Sequence, residues 1–459
     1  MAKDLKLFAH PDYIKRCDDW ERIRDCHDGE RAIKQKHEKY LPKLKGQHQE
    51  DYDNYLFRAL FFPITGKTVA SMVGLATSKK PKIEAPDLMA AYFSDTASPE
   101  YQFTEFYVGT FNEVVLQGRY GVLIDAPAEV AGDPVPVPYR AENIMNWREE
   151  RGKLMMVLLR EHHQEQGKEE FEQVVECKYR HCFIGSDGVY RQQLLDEDLK
   201  PEGSQITPTF SGQPIDYIPF TCIGASGVHM YVDKPPMLDI STINISHYLT
   251  SADLEWGRHI VGLPTPVATG VDSGTSFKIG GTTAWILPPP EAKAFYLEFQ
   301  GQGLKSLETA MTEKIGLMST MSARLVDSSS KGSEAAEAVR LRYVNEAASL
   351  IHIIGSIETG LTMVFNMISK LMKLSEVKLS FPRDVLGAAI TFGDMKVLFE
   401  AYFEGGITVE TLVYNLRRLD AMDPNRDESA EIVAIKAARD AIIKAQQAKA
   451  QQSADPPKE

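Results

Sequence analysis

One unbroken pattern of apolar residues constrains this chain more than any other feature. Between residues 333 and 372, the apolar positions alternate in spacing between four and three residues. These positions are Tyr343, Ala347, Leu350, Ile354, Ile357, Leu361, Val364, Ile368 and Leu371. Such a heptad seam predicts a helix that packs against other helices along one face. At 1.5 Å per residue the helix would be about 58 Å long, so we predict a spine with Ser333 as its N-cap.

The length of the chain suggests roughly two to four structural units.

The acidic balance of the chain limits what it can bind. The 459 residues carry a formal net charge of −13. A protein that holds nucleic acid by its phosphates needs a basic surface. The charge therefore argues against general phosphate binding, although it is compatible with a protein that DNA passes without being held.

Cysteine usage and hydropathy indicate in which cellular compartment the chain is expected. The cysteines are Cys17, Cys26, Cys177, Cys182 and Cys222. Five is a small and odd number, so we expect no disulfide framework and a reducing compartment. The N-terminus lacks the apolar core of a signal peptide. The most apolar window, Ile351–Ile368, contains a histidine, a glutamate and an asparagine, so we expect no membrane span.

The periodicities predict a mixed α and β chain. Helices are predicted within the charged region 10–60 and over Ile64–Leu75, Thr104–Gln117, Met237–Gly257, Gly303–Leu325, Asp394–Glu404, Val409–Leu419 and Ser429–Gln446. Strands are predicted over Val122–Asp125, Lys153–Arg160, Glu172–Cys182, Tyr190–Leu195, Ile218–Ile223 and Val377–Phe381. Between them, Gly118–Gly121 is predicted as a turn, Ala126–Pro138 as a proline-rich loop and Leu263–Phe299 as short strands and turns.

Two binding motifs are incomplete. Gly66-Lys67-Thr68 matches the end of a phosphate-binding loop, but the first glycine of that motif would fall at Phe61. A zinc site is suggested by Cys177, His181 and Cys182 with two adjacent histidines at 162 and 163. On alternating strands, however, neighbouring ligands of this kind face opposite sides of the sheet. We therefore predict neither a nucleotide site nor a metal site.

No arrangement of residues predicts catalysis. The chain has no G-x-S-x-G elbow. Adjacent carboxylates such as Asp18-Asp19 and Glu149-Glu150 lie in charged segments that solvent would surround. We expect the chain not to be an enzyme and to use no cofactor.

A series of short stretches follows a recognisable order. They are Arg58–Phe62, Val73–Leu75, Gln117–Asp125 with Pro127, Asn146–Arg148, Ile218–Phe220, Pro235–Asp239, Asn244, His247-Tyr248, Ser251–Asp253, Gly262–Pro266 and Gly405–Leu412. In this order they resemble the portal proteins of tailed bacteriophages, in a family described as a domain of unknown function. The resemblance covers roughly residues 10–435, and it implies an α+β, multi-domain subunit of the portal type.

The resemblance also implies domain boundaries. The expected parts are an α/β wing (1–235), a first stem helix (236–258), a small β clip (259–302), a second stem helix (303–325), a tunnel loop (326–332), the long helix with a return to the wing (333–393), a helical crown (394–448) and a disordered tail (449–459).

A function is implied in the same way. Portals form a ring of twelve subunits at one capsid vertex, through which double-stranded DNA is packaged and ejected without sequence recognition. The implied partners are further copies of the chain, the large terminase subunit, the major capsid and scaffolding proteins and a head–tail adaptor, with no membrane. The implied location is the virion, and the host cytoplasm during assembly. The alternative is a helical scaffold or adaptor protein of the virion that has no DNA channel.

The tunnel loop supplies the candidate site. Its residues are Asp327, Ser328, Ser329, Ser330, Lys331 and Gly332. A mostly acidic channel would repel phosphate and let DNA slide. We hypothesise that Lys331 then forms one positive ring at the narrowest point, with the serines giving the loop flexibility.

Overall fold

The chain adopts an α+β fold. The computed structural model describes residues 8–95, 102–125, 133–167, 169, 171–262, 265–271, 290–297, 301, 303–323, 336–383, 392–403, 405–418 and 428–454. The chain divides into two compact units, Met1–Phe381 and Pro382–Glu459.

Helices predominate at both ends of the first unit, and they form all the regular structure described in the second. The helices are α1 (Pro11–Asp28), α2 (Glu30–Gln35), α3 (Gln49–Arg58), α4 (Ile64–Ala76), α5 (Phe103–Gln117), α6 (Leu238–Gly262), α7 (Leu304–Ala323), α8 (Ala336–Leu371), α9 (Phe392–Phe403), α10 (Val409–Arg418) and α11 (Glu428–Ala454). Short 3-10 turns cover His37–Lys39, Asp87–Phe93 and Ala141–Asn143. These bounds confirm the predicted helices to within a few residues at most ends.

Strands form the middle of the first unit. They are β1 (Lys82–Glu84), β2 (Arg119–Asp125), β3 (Val135–Arg140), β4 (Ile144–Glu150), β5 (Lys153–Gln166), β6 (Gln173–Ile184), β7 (Tyr190–Leu195), β8 (Pro201–Ile206), β9 (Thr209–Phe210), β10 (Gln213–Pro214), β11 (Phe220–Gly224), β12 (Thr265–Thr269), β13 (Lys293–Leu297) and β14 (Lys378–Ser380). An antiparallel meander has the order β4-β5-β6-β7-β8, and a three-stranded sheet has the order β11-β2-β3. The remaining pairs are β1 with β14, β9 with β10 and β12 with β13.

Two segments predicted as a turn and a loop are partly strand in the structure. The predicted turn Gly118–Gly121 contributes only Gly118, a left-handed cap that ends α5, and β2 begins at Arg119. Of the predicted loop Ala126–Pro138, residues 126–132 lie outside the described residues, and residues 135–138 belong to β3, which contains two prolines. Pro136 and Pro138 are two residues apart on the edge strand of the sheet, where proline is tolerated because that strand pairs on one side only.

The spine helix α8 buries its seam inside the first unit. Seam residues from Leu350 to Leu371 are buried, at most 6% exposed. Gly360 lies against Ile223 of β11, where a Cβ would come within 2.6 Å of that side chain. The Ser356 hydroxyl donates to the Gly224 carbonyl over 2.7 Å. The helix is thus locked to the three-stranded sheet. The predicted N-cap Ser333 lies outside the described residues.

Within the described residues, the segment Ala348–Leu371 of α8 is long and apolar enough to cross a membrane, and half of its most apolar window is buried inside the protein. The buried side packs against α5, β2, β11 and β14.

The second unit has its own small core. Its buried residues are Tyr402, Val409, Leu412, Val413 and Leu416. Helix α11 continues to Ala454, so residues 449–454 of the predicted disordered tail are helical. Alanine and glutamine dominate that stretch, and both favour a helix without any need for burial.

Candidate functional site

The candidate site is the pair of helices α6 and α7, which lie on either side of the β12–β13 hairpin in sequence. Leu304 lies against Gly257, where a Cβ would come within 2.5 Å of a Leu304 methyl group. Ten residues further along α7, Lys314 contacts Ser246 and Thr250. Because residues later in α7 contact residues earlier in α6, the two helices run antiparallel.

One face of α7 packs and the other is exposed. The packed positions recur at spacings of three and four residues, which is again a heptad seam. They are Leu304, Leu307, Met311, Lys314, Met318 and Met321. Met318 is fully buried, whereas Leu317 beside it is 54% exposed. The methionines therefore serve as packing residues.

Lys314 is the polar exception in this seam. Its ammonium donates to the Ser246 carbonyl over 3.0 Å and to the Thr250 hydroxyl over 2.5 Å. His247 lies next to these partners, is 3% exposed and has no hydrogen-bond partner within the described residues on either ring nitrogen. Burial, followed by the charge of Lys314, lowers the pKa of His247. A positive charge is thus held between the helices, and together with burial it disfavours the protonated form of the neighbouring imidazole.

A second contact between the helices lies near the hairpin. Arg258 donates to Glu255 over 2.9 Å on its own helix and to Glu308 of α7 over 2.8 Å. Arg258 and Glu308 are about half exposed and Glu255 is 29% exposed, so the network contributes at most about 1 kcal/mol. The network joins the two helices at the end nearer the hairpin.

The helix pair is nearly neutral. Its acidic side chains are Asp239, Asp253, Glu255, Glu308 and Glu313, and its basic ones are Arg258, Lys305 and Lys314. These two helices therefore carry only a small excess of the acidic charge that is expected for a channel wall.

The β12–β13 hairpin occupies the place predicted for the clip. Thr265 pairs with Leu297 and Thr269 with Lys293 in antiparallel register. Phe295 and Tyr296 on β13 are 49% and 63% exposed. The rest of the predicted Leu263–Phe299 segment lies outside the described residues, except for 270–271 and 290–292.

The start of α6 is fixed against the end of α5. Gly118 has a φ of +71°, a conformation that favours glycine. A Cβ there would lie 3.1 Å from Pro236 and 3.3 Å from Pro235. Two stretches that are 117 residues apart in sequence and that both belong to the portal resemblance thus meet at this point.

The segment between α3 and α4 is bound to α6. The Asn244 amide donates to the Phe62 carbonyl over 2.8 Å, and its oxygen accepts from the Thr65 N–H and hydroxyl over 3.3 and 3.0 Å. Since α4 has no side-chain cap of its own, Asn244 supplies a cap from another helix. Two turns further along α6, the Ser251 hydroxyl accepts from the Leu60 N–H over 3.3 Å.

The same junction is strengthened by aromatic residues. The Tyr55 hydroxyl donates to Asp253 over 2.6 Å, and the rings of Phe61 and Tyr248 meet edge to face at 6.0 Å. Arg58–Phe62, Asn244, Tyr248 and Ser251–Asp253 were separate parts of the resemblance, and the fold brings them together at one junction. Their pairing was not predicted, and a buried polar residue on an otherwise apolar helix, such as Asn244, was the available signal.

The predicted tunnel loop, Asp327–Gly332, lies outside the described residues. The structure describes the helix before it, which ends at Ala323, and the helix after it, which begins at Ala336. Within the described part of the chain, no group of three or more histidine, cysteine or acidic side chains could hold a metal ion.

Comparison with known proteins adds one family match. A family model described as "Domain of unknown function (DUF4055)" matches residues 236–372. The match runs from just before α6 to just after α8. No curated protein matches the chain.

Three of the solved structures that match are of gene transfer agent (GTA) particles, each at 11% identity and a TM-score of 0.37. One match is a chain in "Virion of native gene transfer agent (GTA) particle", at 11% identity and a TM-score of 0.37. The match covers 90% of that chain and 79% of this chain. The corresponding shares are 95% and 78% for "Neck of empty GTA particle computed with C6 symmetry". They are 88% and 76% for "Neck of native GTA particle computed with C12 symmetry".

Proposed function

We propose that the chain is one subunit of a portal ring at one vertex of a phage-like capsid, and that double-stranded DNA passes through the ring during packaging and ejection. The observation that carries the proposal is the order of α6, the β12–β13 hairpin, α7 and α8. A portal subunit is expected to extend one helix, turn through a small clip, return along a second helix and continue into a long one. The described elements follow that order, with α6 and α7 antiparallel.

The helix pair has the properties that the wall of such a channel needs. A helix that lines a channel must be held by its neighbour on one face and be free on the other, as α7 is. Its exposed face carries few charges of either sign, so it offers DNA phosphates little to bind. We propose that the subunit performs no covalent chemistry and acts as a passage and a docking ring.

The remaining parts receive roles from their position in the chain. The hairpin is proposed to dock the large terminase subunit and later the head–tail adaptor, and the sheets and helices of residues 8–235 to contact the capsid and scaffolding proteins. The loop between α7 and α8 is proposed to contact DNA through Lys331. Replacement by glutamate would then change the length of DNA that is packaged or retained, and unchanged packaging would contradict this role.

The proposal is tested by the shape of the assembled protein. Negative-stain electron microscopy of the purified chain is expected to show rings with an axial hole. A helical scaffold or adaptor of the virion would instead give particles without such a hole. A compact dimer with a deep polar pocket would favour an enzyme.

A further inference from the structure

We propose that an exposed apolar patch on the α3–α4 connection, formed by Phe57, Leu60 and Phe62, is the surface on which a second copy of the chain docks, and that it receives the outer flank of the partner copy's α7. This inference rests on the proposed ring. It adds which two surfaces join neighbouring subunits. We call the first surface the 57–62 patch and the second, formed by Glu313 and Leu317, the α7 flank.

The 57–62 patch is exposed because of its local geometry. Phe57, Leu60 and Phe62 are 78%, 55% and 41% exposed. Residues 59–63 join α3 to α4 without helical or strand structure, and the burial of their side chains alternates from Ala59 to Phe62. Ala59 and Phe61 face inward and are at most 5% exposed. Three large apolar side chains within six residues are thereby turned towards solvent, which is typical of an interaction surface.

The patch is held rigidly in place. The Leu60 N–H donates to the Ser251 hydroxyl, the Asn244 amide donates to the Phe62 carbonyl, and the Thr65 N–H donates to the Asn244 amide oxygen. These bonds fix the backbone from Leu60 to Thr65 on one face of α6. A surface with a fixed backbone loses little conformational entropy on binding. The patch is therefore presented by the same helix that the proposed function places in the wall of the ring.

The α7 flank has the complementary character. Leu317 is 54% exposed, and Glu313 is exposed four residues earlier, so the two side chains share one side of the helix. Both positions lie outside the seam that packs against α6. An apolar side chain with an acidic neighbour is thus presented on the surface of α7.

The charges on the two surfaces are opposite. The ammonium of Lys67 lies 5.3 Å from the centre of the Phe62 ring, and Lys67 is exposed. Its pairing with Glu313 of a neighbouring copy would place opposite charges beside an apolar contact. Such pairing mainly sets orientation and partner choice.

A closed ring requires two different surfaces on each subunit. In a cyclic assembly beyond a dimer, one surface of each copy meets the other surface of the next copy. The 57–62 patch and the α7 flank lie on different elements of the same unit, and each is apolar with a charge of opposite sign. A second copy is therefore the occupant that this pair of surfaces fits.

The test uses two variants that each remove one surface. Leu60→Asp disables the patch and Leu317→Asp disables the flank. Leu44→Asp is the control for the first, because Leu44 is 64% exposed in a loop elsewhere. Ile315→Asp is the control for the second, because Ile315 is 36% exposed on the other flank of α7. Assembly is read by native mass spectrometry, and circular dichroism verifies that each variant is folded.

Each disabled variant is expected to lose at least tenfold in ring fraction, while both controls assemble like the wild type. An equimolar mixture of Leu60→Asp and Leu317→Asp chains retains one intact pair of surfaces. It is expected to form a dimer with twice the 51.3 kDa mass of one chain, and nothing larger.

The outcomes separate this inference from the function on which it rests. If the wild type forms rings and either disabled variant still does so, the assignment of surfaces is overturned while the ring stands. If the two disabled variants do not dimerise when mixed, the pairing of patch with flank is overturned. If the wild-type chain forms no ring, the proposed function itself fails.

Discussion

Asn244 is expected to determine the local stability of the junction between α4 and α6. The side chain is fully buried and makes three hydrogen bonds to the start of α4. Asn244→Ala would remove the partner of the N–H and hydroxyl of the fully buried Thr65, and would leave the Phe62 carbonyl with the Ile64 N–H as its one remaining donor among the described residues. A buried polar group that loses its partner costs about 1–3 kcal/mol, and some of this cost is relieved by relaxation. We therefore expect a loss of about 2–4 kcal/mol.

Amide hydrogen exchange measures this loss of local stability at the start of α4. Amides in the first turn of α4 open locally, and their exchange rates report the free energy of that opening. A loss of about 2 kcal/mol corresponds to roughly 30-fold faster exchange. Thr242→Ala is the control on the same helix, because Thr242 is exposed and bonds only within α6. It should change the rates less than about threefold, within the usual effect of a surface substitution.

A double-mutant cycle isolates the contact. Thr65→Ala alone should cost about 1 kcal/mol for its hydroxyl hydrogen bond. In the Asn244→Ala background the same change should cost less, because the partner is already gone. If α4 in the Asn244→Ala variant exchanges at the wild-type rate, Asn244 does not hold this junction and the account of a rigid patch is wrong.

Three further predictions follow from other contacts. Gly118→Ala should cost about 1–2 kcal/mol, because alanine is strained at positive φ, and a thermal melt no lower than that of the wild type would contradict it. Lys314→Met should raise the pKa of His247, read by the NMR shift of its ring protons, because it removes a neighbouring charge. Since the pKa of His247 is lowered in the folded chain, stability should fall as the pH drops below about 6.5, and less steeply in this variant. Lys67→Glu should weaken ring assembly and Glu313→Lys in the same chain should restore it, whereas a double variant no better than the single one would refute the pairing.

Local pattern was sufficient to predict the elements that carry the proposed function. The seam of α8 is readable because every seventh position returns to the same face, and burial from Leu350 onward follows that register. The extent of α7 was predictable for the same reason. The position of Lys314 in the seam of α7 can be read from the sequence. The groups that its ammonium contacts cannot.

The contacts that the sequence did not predict depend on distant neighbours. Thr65 and Asn244 are 179 residues apart, and neither carries a local signal for the other. Pro136 and Pro138 suggested a loop, because their tolerance in β3 depends on its position at the edge of a sheet. Arg119 suggested a turn together with two glycines. It instead pairs with Gly224 of β11, which is 105 residues away in sequence.

The central claim is that α6 and α7 of several copies surround one channel. Cryo-electron microscopy of the assembled protein tests it most directly, because a reconstruction locates each helix relative to the symmetry axis. We expect a ring of twelve subunits with an axial hole, the helix pair around that hole, and the 57–62 patch in contact with the next subunit's α7. A closed particle without an axial hole, or a ring with α6 and α7 on its outer surface, would contradict the account.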